Sequence, residues 1–156
     1  MHVREIMTSE VISVNVDTPV STVADLLFDR NLTGMPVLDE TRHVVGVITE
    51  YDLLSRQEHI HIPSYMKLLG QFKVAGDKRV IKGEIDKILG LKAADIMTKP
   101  VVTISPETEV AEAARIFSDD RINPLPVVDT NGQLTGIVSR ADIVKLFKTI
   151  TGEGQS

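Results

Sequence analysis

Two short stretches of this chain, ninety positions apart, combine residue types suited to holding anions and sugar hydroxyls. Gly46-Val47-Ile48-Thr49-Glu50-Tyr51-Asp52 is matched by Gly136-Ile137-Val138-Ser139-Arg140-Ala141-Asp142. In each copy a glycine precedes two branched apolar residues, a hydroxyl residue follows, and an aspartate stands three positions later. A hydroxyl with an acid at i+3 is the capping-box pattern, in which both side chains satisfy free N–H groups at a helix start. The same helix start favours phosphate through its N–H groups and dipole. Its hydroxyl can hydrogen-bond a phosphate oxygen, and its aspartate can accept from vicinal ribose hydroxyls. Capping and binding can coexist at one position. The preceding glycines, Gly46 and Gly136, allow close backbone approach or serve a bend or bulge.

The elements that must position these stretches are themselves duplicated. Sliding the chain by ninety residues aligns 5–54 with 95–144 without a gap, and thirteen positions are identical. Chance would give roughly three from ordinary residue frequencies, so the alignment reflects an internal repeat. Each copy opens with a lead-in turn or short helix, Val3 to Met7 and Ala93 to Met97. Val11-Ile12-Ser13-Val14 and Val101-Val102-Thr103-Ile104 are β-branched and predict short strands. Thr18 as N-cap and Pro19 at the first position predict a helix, with Val20, Val23, Ala24, Leu27 and Phe28 on one buried face. Thr108, Val110, Ala113, Ala114 and Phe117 repeat that pattern. Strands at Met35–Asp39 and Leu125–Asp129 enter hairpins at Glu40–His43 and Thr130–Gln133, and strands at Val44–Ile48 and Leu134–Val138 close them. Helices begin at Thr49 and Ser139.

A fold class of mixed α/β (α+β type) follows, with the order β-α-β-β-α in each unit. One unit of about 50 residues is too small to bury its sheet and helices alone. Two units related by a pseudo-two-fold axis are therefore expected to form one compact module. The division is 1–56 for the first unit, 57–92 for an inserted helical arm, 93–150 for the second unit and 151–156 for a fraying polar tail. In the arm, Ile81, Ile85, Ile88 and Leu89 fit one helical face.

Composition excludes several classes. The chain of 156 residues is 42% hydrophobic and 25% charged, apolar enough for a core. There is no cysteine, so no disulfide framework or thiol nucleophile. No apolar run reaches the roughly 18 residues of a membrane span and no signal-peptide h-region opens the chain. A cytoplasmic location without membrane contact is expected. The net charge of −5 argues against nucleic acid, although the arm is locally basic. His59 and His61 with His43 lack an acid pair, and no metal site is read. Neither a Ser-His-Asp arrangement nor a Gly-rich phosphate loop appears, so no catalytic residue is assigned and the chain is not expected to be an enzyme.

With Ile-Met-Thr at 6–8 and 96–98, and Met35-Pro36-Val37 beside Leu125-Pro126-Val127, the ordered recurrence resembles a tandem pair of CBS (cystathionine-β-synthase) domains. That resemblance implies a regulatory, ligand-sensing module. Its clefts would bind adenosine-containing ligands, AMP, ADP, ATP or S-adenosylmethionine, as regulatory ligands and not catalytic cofactors. Carried over by position, Asp52 and Asp142 would hold ribose, and Thr49 and Ser139 would contact phosphate or ribose. Thr33-Gly34-Met35-Pro36 and Asn123-Pro124-Leu125-Pro126 would line the base pocket. Thr8 with Val11, Ile12 and Ser13, and Thr98 with Val101, Val102 and Thr103, would complete it. Arg140 replaces Glu50, so tighter binding is expected beside Ser139. Resemblance also implies a homodimer and a separate effector protein. The alternative is a ligand-free dimerisation or scaffold module, with the repeated motifs serving only as caps.

Overall fold

The computed structural model describes residues 1–55, 90–120 and 122–152, the side chains of Leu54 and Ser55 excepted. The arm between the repeats lies outside these residues except for its last positions, 90–92. His59, His61 and the end of the tail lie outside them as well.

A 3-10 turn at Val3–Glu5 leads to β1 (Val14–Asn15), α1 (Val20–Asp29), β2 (Gly34–Leu38), β3 (Val44–Thr49) and α2 (Glu50–Ser55). The second repeat has α3 (Ala93–Ile96), α4 (Val110–Asp119), β4 (Leu125–Val128), β5 (Leu134–Val138) and α5 (Arg140–Ile150). β1 pairs parallel to β2, which pairs antiparallel to β3, and β4 pairs antiparallel to β5. A single parallel bridge, Ile104 to Val127, stands where β1 would be in the second repeat.

Hydrogen bonds across the repeats express the pseudo-two-fold directly. Thr8 and Ile137 exchange two backbone bonds, and Thr98 and Val47 do the same. The Val3 amide donates to Thr108, and the Ala93 amide to Thr18. At the hairpin tips His43 Nε2 donates to the Asn131 carbonyl, while Gln133 Nε2 donates to the Thr41 carbonyl. Every partner in one bond lies ninety positions from its counterpart in the other.

These bonds exchange the lead-in segments between the repeats. One core holds Val14, Val20, Val23, Leu27, Met35, Val37 and Ile48, and closes with Ala93, Ile96 and Met97. The other, built on Ile104, Val110, Ala113, Phe117, Leu125, Val127, Val138 and Ile143, is closed by Val3, with Ile6 and Met7 packed against it. Neither sheet is covered by the lead-in of its own sequence repeat. The duplicated glycines make this possible. A Cβ at Gly46 would stand 2.6 Å from Met97 Sδ, and one at Gly136 would stand 2.5 Å from Met7 Sδ. The close approach they allow is therefore that of the exchanged methionines.

Three local expectations differ from the structure. Val11 to Ser13 and Val101 to Thr103 are not strand, because the chain there is crossing from one repeat's sheet toward the other's. Thr18 does not cap α1; its hydroxyl accepts from the Asn15 amide in the preceding turn. Phe28 lies 87% exposed, because the buried stripe of α1 is only Val20, Val23 and Leu27 wide.

Candidate functional site

The two helix starts share one local construction. The Thr49 amide donates to Asp52 Oδ2 at 2.9 Å, and the Ser139 amide to Asp142 Oδ2 at 2.7 Å. Both hydroxyls donate to the same oxygens, at 3.2 Å and 2.8 Å. The capping reading is thus realised in both copies.

Beyond this the copies diverge. Asp52 is 3% exposed, and its second oxygen accepts the Thr98 hydroxyl at 2.7 Å. Both of its carboxylate oxygens are thus engaged within the protein. Asp142 is half-buried, and no hydrogen bond among the described residues reaches its Oδ1. Thr8, the counterpart of Thr98, makes no side-chain bond to it.

Asp142 opens onto a cavity of about 410 Å³, within the ordinary range for small-molecule sites. The exchanged lead-in contributes Thr8, Val11 and Ile12, the chain before β2 contributes Thr33 with Gly34 at the strand start, and the chain before β4 contributes Asn123 and Pro124. Ser139 and Asp142 complete the expected residues it brings together. Glu10, Asn31, Leu32, Ile137 and Ala141 join them, although their types carried no signal. The backbone pairing of Thr8 with Ile137 is what places that part of the wall.

The remaining expected residues lie elsewhere. Met35, Pro36, Leu125 and Pro126 are sealed in the cores and offer no side-chain surface to the cavity. Each proline and the residue before it lie in a strand that is buried throughout except at Val128, so these side chains serve packing. Ser13 is outside the cavity. Thr49, Asp52, Thr98, Val101, Val102 and Thr103 belong to the symmetry-related face, where Thr98 closes over Asp52.

Arg140 stands apart from the expected set. Its guanidinium Nη2 donates to the Phe117 carbonyl at 3.4 Å, near the C-terminus of α4, and the side chain does not line the cavity. A carbonyl at a helix C-terminus attracts a cation, which favours this orientation of an exposed side chain over one toward the start of its own helix. The Arg140 amide donates to Asn123 Oδ1 at 3.0 Å, whereas the Glu50 amide donates to the Thr33 carbonyl at 3.1 Å. Among the described residues no group of three or more His, Cys, Asp or Glu is placed to hold a metal. No helix there is long and apolar enough to cross a membrane.

Two intertwined α/β repeats, sharing their lead-ins and enclosing a cavity between helix start and strand ends, define a duplicated pair module. The chain belongs to the CBS domain family, whose model matches residues 3–59 and 93–149. The chloroplastic CBS domain-containing protein CBSX1 of Arabidopsis thaliana is 29% identical over 149 residues, covering 90% of this chain and 61% of the plant protein. This chain thus spans about three fifths of that relative's length. A crystal structure of CBSX2 in complex with AMP superposes with TM-score 0.71 at 28% identity, covering 96% of this chain and 98% of that one. The CBS domain pair of protein MJ0100, crystallised with 5′-methylthioadenosine and S-adenosyl-L-methionine, gives TM-score 0.69 at 26% identity over 96% and 97% of the two chains.

Proposed function

We propose that this chain is a regulatory module that binds an adenosine-containing ligand in the cavity beside Ser139 and Asp142. The observation that carries the reading is Asp142, whose Oδ1 no hydrogen bond among the described residues engages, lining a cavity of ligand size whose walls come from both repeats. A ligand seated there touches the exchanged lead-in and the start of α5 together, so its binding biases how the repeats pack. An effect on packing requires different affinity for two states, which a site shared between repeats can provide. The ligands in CBSX2 and MJ0100 support the ligand class. Asp142 takes the ribose hydroxyls, and apolar Val11, Ile12 and Pro124 flank the base.

The signal passes to a second copy of the chain and on to a separate effector, without catalysis and in the cytoplasm. Val144, Phe147 and Ile150 leave an apolar face of α5 61–68% exposed, which supports a homodimer. Thermal unfolding with adenosine, AMP, ADP, ATP and S-adenosylmethionine tests the reading. A saturable rise in midpoint with at least one of them, lost in Asp142→Ala, is expected. No rise with any member of the panel overturns it. Sedimentation of the chain and of Phe147→Glu tests the dimer, which the charge should dissociate.

A further inference from the structure

The charge of the cavity bears on which adenosyl compounds it takes. Resting on the reading of the cavity as an adenosyl site, we infer that it selects ligands with an uncharged or cationic 5′ substituent, a thioether or a sulfonium. Di- and triphosphates are disfavoured.

Two carboxylates line the cavity, Glu10 and Asp142, and among the described lining residues there is no Lys, Arg or His. Neither carboxylate forms an ion pair among the described residues. Charges are screened over about 8 Å at physiological salt, so a phosphate group seated beside either carboxylate feels its negative charge.

Among the described residues, several features that would offset this repulsion are engaged elsewhere. The Arg140 guanidinium meets the Phe117 carbonyl at 3.4 Å and is not among the lining residues. At the start of α5 the Ser139 amide is taken by Asp142 Oδ2 and the Arg140 amide by Asn123 Oδ1. The Asp142 amide donates to the Ser139 carbonyl. Of the N–H groups that make a helix start attract anions, the chain's own acceptors have consumed these three. Meanwhile Val11, Ile12, Leu32, Ile137 and Ala141 give a wall suited to a base and an alkyl sulfur group. The ninety-residue offset puts Pro100 where Glu10 stands, so the second carboxylate belongs to this cleft alone.

Titration calorimetry on the whole chain, in EDTA and at low and physiological salt, tests the selection. Adenosine, 5′-methylthioadenosine, S-adenosylmethionine, AMP, ADP and ATP are compared. S-adenosylmethionine and methylthioadenosine should bind roughly tenfold or more tightly than ADP and ATP, with the gap shrinking as salt rises. Glu10→Gln should narrow the gap severalfold and Glu10→Lys should reverse its sign. Glu10 is exposed, so neither change threatens folding. ADP or ATP binding as tightly as the phosphate-free compounds overturns the inference and leaves the adenosyl reading standing. So does a gap that Glu10→Gln does not alter. Failure of every compound, adenosine included, overturns both.

Discussion

Pro124 packs its ring against Gly34, the residue at its own position in the other repeat. A Cβ on Gly34 would come within 2.8 Å of Pro124 Cδ, 2.9 Å of Thr49 Cγ2 and 3.1 Å of the Ile48 carbonyl oxygen. The two repeats meet at this point of the pseudo-two-fold, and there is space for one ring but not two. The difference between the copies is a condition of their packing, and it shapes the cavity both residues line.

Gly34→Ala should therefore destabilise the chain by about 1–3 kcal/mol, the usual cost of overpacking. Pro124→Ala in the same chain should recover part of that loss, since the ring is one of three obstacles. A double-mutant cycle by denaturant unfolding checks it, and the expected coupling is above about 0.5 kcal/mol. Strict additivity would mean that the two residues do not share this space.

The exchange of lead-ins predicts a second effect. Ile96 is fully buried, but in the core of the other repeat's sheet. Ile96→Ala should cost about 2–5 kcal/mol. Hydrogen exchange should show the loss of protection in β2 and β3 of the first repeat. Loss confined to β4 and β5 would contradict the exchanged packing.

Much of this architecture was readable because the repeat recurs without a gap, so each element could be checked against its copy. The strand–hairpin–strand order and the helix starts at Thr49 and Ser139 follow from local patterns that hold in both copies. The exchange of lead-ins was not readable, since Ala93, Ile96 and Met97 carry no mark of which sheet they cover. For the same reason Gly46 and Gly136 read as places of close approach or of a bulge, and a bulge does border each, but nothing in their type names a methionine as the close neighbour. Arg140 illustrates a further limit: its type suggests phosphate, but its guanidinium meets a carbonyl on α4, twenty-three residues away. Glu10 and Ala141 entered the site only through three-dimensional pairing.

At the first hairpin, Asp39 Oδ1 accepts the Thr41 amide, the Thr41 hydroxyl and the His43 amide, at 2.8–2.9 Å. The Thr41 hydroxyl bond is the main cause that holds its carboxyl below the ordinary aspartate value, with the His43 amide next. A folded-state value below the unfolded one gives stability that is complete above the unfolded pKa. That stability is lost as pH falls through the lowered value. Asp39→Asn should thus be less stable than the parent at neutral pH, and the difference should vanish in acid. Chemical denaturation across the carboxylate range checks this; a constant difference at all pH values would reject it.

Ala141 lines the cavity where the first repeat carries Tyr51. Ala141→Tyr adds a ring at an exposed position on the first turn of α5 and should leave stability within about 0.5 kcal/mol. It should occlude the cavity and weaken any ligand that shifts the parent's unfolding midpoint by at least tenfold. Equal affinity in parent and variant would place the ligand elsewhere.

Asp52 and Asp142 should separate stability from binding. The Asp52 carboxylate is buried and accepts from the Thr49 amide, the Thr49 hydroxyl and, across the repeats, the Thr98 hydroxyl. Asp52→Ala leaves those donors without their acceptor inside the protein, at a cost of about 2–4 kcal/mol. Thr98→Val removes only the inter-repeat bond and should cost about 1 kcal/mol. Asp142→Ala loses a helix cap, about 1 kcal/mol, because its second oxygen has no partner among the described residues to strand. Ligand affinity should follow the opposite order: Asp142→Ala abolishes the ligand-induced rise in unfolding midpoint, while Thr98→Val retains it. Equal binding losses in Asp142→Ala and Asp52→Ala, with equal losses of stability, would mean that the two helix starts are equivalent. The Thr98 bond argues that they are not, since it commits one aspartate to joining the repeats and leaves the other facing the cavity.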